Sequence, residues 1–429
     1  MRIRDAVEKQ DIIFNHDEEK IIRTKSFQRL SRIRQLGLTF YVYPMANHSR
    51  FAHSIGTCAM VKRIMKEIES SEIEGYKFRH DDKELIPLAA LLHDISQVPF
   101  GHTLEDEACI IKKHDSKERY ERFLIYDKEI YNILGADRAE AILKILTTDA
   151  DKLDRPYRLE LIKNTISADL LDYLLRDALA TGVLLGWDRR IILYLKILLH
   201  ERKKHVVIEA AEGNVKNMDI ISEVERLLQN RYFLAERVYY YHTKLAADAM
   251  IAKAISEAGV PKDLETKTDD EILLDLQKSK NQVSKKLSTL LWERKLHRTS
   301  YMIDRSSIEK NKSGEVERNI EEYRKKTGEF EEMLLKKANA QSGDVIVFSL
   351  PSKMNMKVAD ALIRRKEHSD IDIVRAKTLA GFNDICEKHK RMWRLYVFTV
   401  AGIEDTIAKK CEELFGLKNL WDIRSRKAR

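Results

Sequence analysis

The sequence predicts a mainly α-helical protein carrying a short hairpin and a small C-terminal α+β lobe. Three observations predict it. The 429 residues include only 6 Pro and 15 Gly, with 44% hydrophobic and 34% charged residues, a balance that favours long amphipathic helices over strand-and-turn architectures or disorder. From Lys20 to about Leu199 apolar positions recur every three or four residues, the helical period. β-Branched and aromatic runs are confined to a few short stretches. At roughly 150 residues per domain the length suggests about three domains, and such a chain buries a core without disulfide staples.

Taken in order, Asp81-Asp82 predict a carboxylate cap for LIPLAALLHD, a helix with Leu85, Leu88, Ala89 and Leu92 on one stripe that ends at His93-Asp94. Pro99 and Gly101 make ISQVPFGH a turn, after which TLEDEACIIKKH resumes helix. Residues 162–181 form a further helix, closed by Gly182. A hairpin is expected in HVVIEAAEGN, where Val206, Val207 and Ile208 precede a Gly213-Asn214 turn. Residues 219–258 return to a long helical pattern, and charged helix with polar breaks follows to about residue 341. DVIVFSL (344–350) and RLYVFTV (394–400) read as strands of a small lobe. The expected organisation is a core over 1–255, a helical extension over 256–342 and an α+β lobe over 343–429. No internal repeat or low-complexity tract occurs.

Lys and Arg number 77 against 69 Asp and Glu, a net charge of +8. Much of the excess lies in IRSRKAR (423–429) and in Arg364, Arg365 and Lys366. It serves either as a solvated surface and tail or as a basic patch for nucleic acid or nucleotide phosphates. The four cysteines, Cys58, Cys109, Cys386 and Cys411, are far apart and form no C-x-x-C pair, which argues against a thiolate zinc site or a disulfide framework and fits a reducing compartment. The N-terminus is charged throughout, and no run reaches the roughly 18 apolar residues of a membrane span. A cytoplasmic protein without a membrane partner is expected.

Polar residues without a packing reason concentrate in four segments: HSRFAHS with His48, Arg50 and His53; LLHDISQVPFGHTLED with His93, Asp94, His102 and Glu105; KKHDSKE with His114; and ISADLLDYLLRD with Asp169, Tyr173, Arg176 and Asp177. Imidazole and carboxylate suit borderline and hard divalent cations, and two consecutive ligands reach one ion only where a helix is ending. A lone His-Asp pair is more often a cap or an ion pair. A second His and a later helical Asp complete a set that leaves coordination positions open. His102 and Glu105 stand three apart, so a carboxylate can orient the ring for proton transfer, or TLED is a capping box. Asp169, Tyr173, Arg176 and Asp177 share one helical stripe, which faces solvent or a polar pocket.

In this order, FQRLSRIRQLG (27–37), HSRFAHS, LLHDISQVPFGH and ADLLDYLLRD resemble the HD-domain deoxynucleoside triphosphate triphosphohydrolases, among them the mammalian SAM-and-HD-domain enzyme and bacterial dGTPases. The resemblance covers about residues 20–250 and implies an HD-domain helical core. It places the metal ligands on His53, His93, Asp94 and Asp169 and a general acid/base on His102 with Glu105 as its carboxylate. A further active-site histidine falls on His114. Gln35 and Asp177 match residues that hold the sugar 3′-hydroxyl, Leu36 one that crowds the 2′ position, Arg50 a phosphate contact, and Tyr173 a tyrosine lining the sugar and phosphate site. RVYYYHTK (237–244) resembles the Tyr/His/Lys stretch beside the base, without fixing which tyrosine corresponds. Two positions depart: Gln97 stands where the SAM-and-HD type has a second histidine, as an amide does in dGTPases, and Leu170 replaces a phosphate-contacting lysine. No SAM domain is expected ahead of the core.

The implied activity is hydrolysis of a dNTP to deoxynucleoside plus triphosphate with a divalent metal ion, one of Mg, Mn, Fe, Co, Ni or Zn, and related enzymes suggest a homo-oligomer. Two rival functions stay open at this point. One keeps the metal and acts on single-stranded nucleic acid as an HD-type nuclease or phosphodiesterase. The other is a weakly catalytic nucleotide-binding sensor subunit.

Overall fold

The computed structural model describes residues 1–71, 75–211, 218–311, 316–352, 361–367, 370–378 and 382–421. The basic run 423–429 and the Gly213-Asn214 turn lie outside the described residues. In chain order the strands are β1 (Arg2–Asp5), β2 (Gln10–Ile13), β3 (Leu195–His200), β4 (Lys203–Glu209), β5 (Arg298–Asp304), β6 (Val345–Ser349), β7 (Leu362–Glu367), β8 (Asp370–Arg375) and β9 (Arg394–Thr399). β1 and β2 form an antiparallel hairpin, β3-β4-β7-β8 a four-stranded sheet and β5-β9-β6 a three-stranded one. The other regular elements among the described residues are helical. No helix among the described residues is long and apolar enough to cross a membrane.

Three helices carry the centre of the molecule. The Arg50–Ser70 helix opens on Ser49, whose hydroxyl accepts the Ala52 N–H at 3.3 Å, the usual way a helix start satisfies an orphan donor. In the His80–Leu92 helix the two acids sit inside the first turn, not ahead of it. Asp82 reaches back to accept the Arg79 N–H at 3.2 Å. Its expected stripe is buried, but so are Ile86, Pro87, Ala90 and Leu91, so from Leu85 onward the helix runs through the core with no wet face. The third helix, Ala168–Thr181, begins later than the expected 162 because Ser167 caps it, accepting the Leu170 N–H at 3.5 Å. Gly182 closes it at φ +71°, the left-handed conformation that glycine adopts without strain.

Other boundaries shift for identifiable reasons. The turn after the His-Asp pair leads into five residues of π-helix, Thr103–Glu107, and not a continuous helix to His114. The long pattern over 219–258 is broken into Met218–Leu234 and His242–Ala258 by a second π-helical turn, Ala235–Tyr239. The hairpin that contains Val206 to Ile208 turns at Glu201-Arg202, both at positive φ, as two-residue hairpin loops require. The extension includes β5, which pairs with β9, and β7 pairs in parallel with β4. Strand pairing therefore crosses both of the boundaries expected at 255 and 342.

Two apolar cores result. One lies beneath the Arg50–Ser70, His80–Leu92 and Ala168–Thr181 helices and takes in Ile197, Val206 and Ile208 of the four-stranded sheet and Ile363 of β7. The other surrounds the His242–Ala258 helix and buries Val345, Val347, Leu395 and Val397 of the three-stranded sheet. Tyr173 packs against the first core, Tyr240 against the second, and Tyr239 against both. A cavity opens along this seam.

Candidate metal centre and its cavity

Three helix ends converge on the cavity. His53 stands in the first turn of Arg50–Ser70, His93 directly follows His80–Leu92, and Asp169 is the second residue of Ala168–Thr181, where the helix dipole favours a carboxylate. His53 Nε2 lies 3.1 Å from Asp169 Oδ1 and 3.2 Å from His93 Nε2, and the ligand atoms of all three fall within 4.8 Å of one another. Two ligands each about 2.1 Å from a common ion and at roughly right-angled to tetrahedral geometry stand about 3.0–3.4 Å apart. The two His53 distances fit a divalent cation, and the third pair, His93 Nε2 to Asp169 Oδ1, stands wider at 3.9 Å.

The surrounding bonds fix which nitrogens face inward. His53 Nδ1 donates to Asp172 Oδ2 at 2.8 Å, and His93 Nδ1 donates to the Ala90 carbonyl at 2.7 Å, so both Nε2 atoms are presented to the centre. Asp172 is in turn gripped by Arg176 at 2.9 and 2.7 Å, and Arg176 reaches Asp5 of β1 at 3.0 Å. Burial would lower the His53 pKa, but Asp169 and Asp172 outweigh it and raise it to about 10; a bound cation would displace that proton. Burial drives His93 down to about 4. Asp94 adjoins the set: Oδ1 is 3.6 Å from His93 Nε2, while Oδ2 accepts from Arg50 Nη1 at 2.9 Å. Arg50 is thereby engaged with a carboxylate.

The carboxylate assignments differ from the expected ones. His102 bonds Asp106 at 2.8 Å, not Glu105. The π-turn explains this: Ala108 N–H bonds the Thr103 carbonyl five residues back, and the widened coil brings residue i+4 over His102. Glu105 instead turns inward, accepting from His114 Nδ1 at 2.8 Å and from Arg119 at 2.7 Å. His114 Nε2 then lies 3.8 Å from Asp94 Oδ1, and the two rings, His102 and His114, are 6.0 Å apart. The stripe of the Ala168–Thr181 helix splits as well. Asp169, Tyr173 and Asp177 line the cavity, whereas Arg176 is buried against Asp172 and Asp5.

The cavity measures about 500 Å³ and includes Gln35, Leu36, Arg50, Gln97, His102, Glu105 and His114 in its wall, a size in the usual range for small-ligand sites. Gln97 is buried, and neither its Oε1 nor its Nε2 has a hydrogen-bond partner among the described residues. Asp177 accepts from His48 at 2.8 Å and from Tyr239 at 2.6 Å, which shows Tyr239 to be the tyrosine of RVYYYHTK that meets the Asp177 face. Sequence reasoning left Asp172, Asp106, Lys163, Arg231 and His389 without roles. His389 comes from the Phe382–Lys390 helix, and its ring stands 6.3 Å from that of Tyr240.

Residues 50–177 match the HD domain and residues 203–424 match the HD associated region. The chain belongs to the family of HD-domain proteins that carry an HD associated region. Among curated relatives, an uncharacterized protein of Methanocaldococcus jannaschii is 33% identical over 62% of this chain and 51% of that protein. Deoxynucleoside triphosphate triphosphohydrolase SAMHD1 of Gallus gallus is 28% identical over 56% of this chain and 42% of that protein. The chain spans about half the length of the curated relatives it matches. In fold it is similar to a hypothetical protein from Aquifex aeolicus, with a TM-score of 0.67 and 21% identity over 96% of this chain and 99% of that one. A phosphohydrolase from Bacteroides thetaiotaomicron shares the fold at 0.67 and 22% identity, over 93% and 99% of the two chains.

Proposed function

We propose that this protein is a metal-dependent nucleotide phosphohydrolase that splits a dNTP into deoxynucleoside and triphosphate. The observation that carries the reading is the His53–His93–Asp169 set, its inward nitrogens fixed by Asp172 and Ala90, at the wall of a cavity sized for a small ligand. The similarity to a deoxynucleoside triphosphate triphosphohydrolase supports the substrate class. His53, His93 and Asp169, with Asp94 adjoining, would hold the ion, which when bound supplies Lewis-acid polarisation of a phosphoryl oxygen and activation of water. Attack of water on the α-phosphorus forms one P–O bond and breaks the bond to the 5′-oxygen. His102, oriented by Asp106, donates a proton to that leaving oxygen. His114, held by Glu105, is placed beside Asp94 to take the proton lost by the attacking water. Gln35, Leu36, Tyr173 and Asp177 form the wall against which sugar and phosphates lie.

Products from the eight common nucleotides, separated chromatographically with Mg²⁺, Mn²⁺, Co²⁺ or Fe²⁺ supplied, test this. The expected result is deoxynucleoside plus triphosphate from one or more dNTPs, lost by at least 100-fold in His93→Ala and Asp169→Ala. No turnover of any nucleotide by the wild type would refute the reading, and single-stranded DNA cleavage lost in the same variants would move the site to a nuclease.

A further inference from the structure

Six basic side chains line the cavity: Arg34, Arg50, Lys113, Lys163, Arg231 and Lys244. Four are neutralised by carboxylates. Arg34 pairs with Asp269 at 3.4 Å, Arg50 with Asp94 at 2.9 Å, Lys113 with Asp106 at 3.1 Å, and Lys244 with Glu107 at 2.7 Å and Asp248 at 2.6 Å. Lys163 and Arg231 have no carboxylate within 4 Å among the described residues. Arg231 is engaged with the Tyr173 hydroxyl.

Lys163 lies in the loop just ahead of the Ala168–Thr181 helix, six residues before the ligand Asp169. Its Nζ donates to the Tyr120 hydroxyl at 3.1 Å, and Tyr120 donates its own proton to the His93 carbonyl. An ammonium has three protons to place, and among the described residues no second protein acceptor meets this one. Burial disfavours its charge, yet Tyr120 and the more distant carboxylates of Asp94 and Asp115 keep it protonated. A cation tied through one hydroxyl to the backbone of a metal ligand, with donors to spare, is built to receive an anion from the cavity. The wall residue beside Asp169, Leu170, carries no charge that could do so.

We propose that Lys163 binds a phosphate group of the substrate's polyphosphate chain, next to the metal centre. The inference rests on the proposed nucleotide reaction and narrows its substrate class. Two cations with no carboxylate within 4 Å among the described residues, beside the candidate metal centre, match a ligand with several negative charges, whereas a phosphodiester brings only one.

Inorganic tripolyphosphate binding to the Mn²⁺-loaded full chain, measured by calorimetry beside dNTP steady-state kinetics, tests it. Lys163→Gln keeps a polar contact to Tyr120 without the charge, Lys163→Met removes both should the Gln variant misfold, and Lys163→Arg restores the charge. The expected result is tripolyphosphate binding at least tenfold weaker in Lys163→Gln and Lys163→Met, KM raised by a similar factor, Mn²⁺ affinity within twofold of wild type, and recovery in Lys163→Arg. Equal tripolyphosphate binding in wild type and Lys163→Gln, absent binding in wild type, or a parallel loss of Mn²⁺ affinity would each overturn the role. A wild type that hydrolyses no dNTP yet shows the binding contrast would discard the reaction and leave Lys163 as a phosphate receiver.

Discussion

At residue 56 only a hydrogen atom fits: a Cβ there would lie 2.0 Å from Asp172 Oδ1 and 2.2 Å from Arg176 Nη2. The glycine is needed because the pair that steadies His53 presses against the same helix one turn on. Gly56→Ala should push Asp172 off His53, weakening Mn²⁺ affinity by 10–100-fold and costing about 2–4 kcal/mol of stability through a disturbed buried ion pair. Metal titration with a thermal melt measures both, and a variant with unchanged Mn²⁺ affinity would show that the contact does not steady the ligand. His53, His93 and Asp169 could be singled out in the sequence because imidazole and carboxylate recur in segments that give no packing reason for them. The partners of His102 and His114 could not be, since a choice between Glu105 and Asp106 turns on whether one coil is α or π, a difference no spacing rule carries.

Helices with apolar repeats were legible, and so were β6 and β9, whose apolar runs suit a buried sheet. β1, β7 and β8 were not: RIRD, LIRRKE and DIDIVR alternate charge with apolar residues over too few positions to separate from loop. β5 reads as part of a charged helical stretch, and only its pairing with β9 makes it a strand. The residue before β5, His297, is buried and donates from Nε2 to the Gly343 carbonyl at 2.8 Å. Burial lowers its pKa from 6.5 to about 4. The folded chain therefore keeps it neutral where the unfolded chain is already protonated, so its contribution is intact above pH 6.5 and is lost as pH falls towards 4. Denaturant melts at pH 7 and pH 5 should show wild type losing about 2 kcal/mol more than His297→Gln. Equal losses would mean that His297 is solvated.

On the scale of the whole molecule, the family-matching cavity is walled by both cores, and the HD associated region supplies part of it. His389 carries this contact: it is buried, its Nδ1 has no partner among the described residues, and it stands beside Tyr240. His389→Ala should raise KM for the nucleotide about tenfold while leaving Mn²⁺ affinity unchanged, as kinetics beside metal titration would show; unchanged KM would make the associated region a scaffold only. The sequence divided the chain into successive segments, but a strand can find its partner 150 residues away, and periodicity holds no information about that pairing. Long-range contact of the same kind ties β1 to the candidate metal centre. Asp5 holds Arg176, Arg176 holds Asp172, and Asp172 holds His53. The first strand is thus a remote support of His53, and a change at Asp5 should reach the candidate metal centre although β1 lies outside the cavity wall.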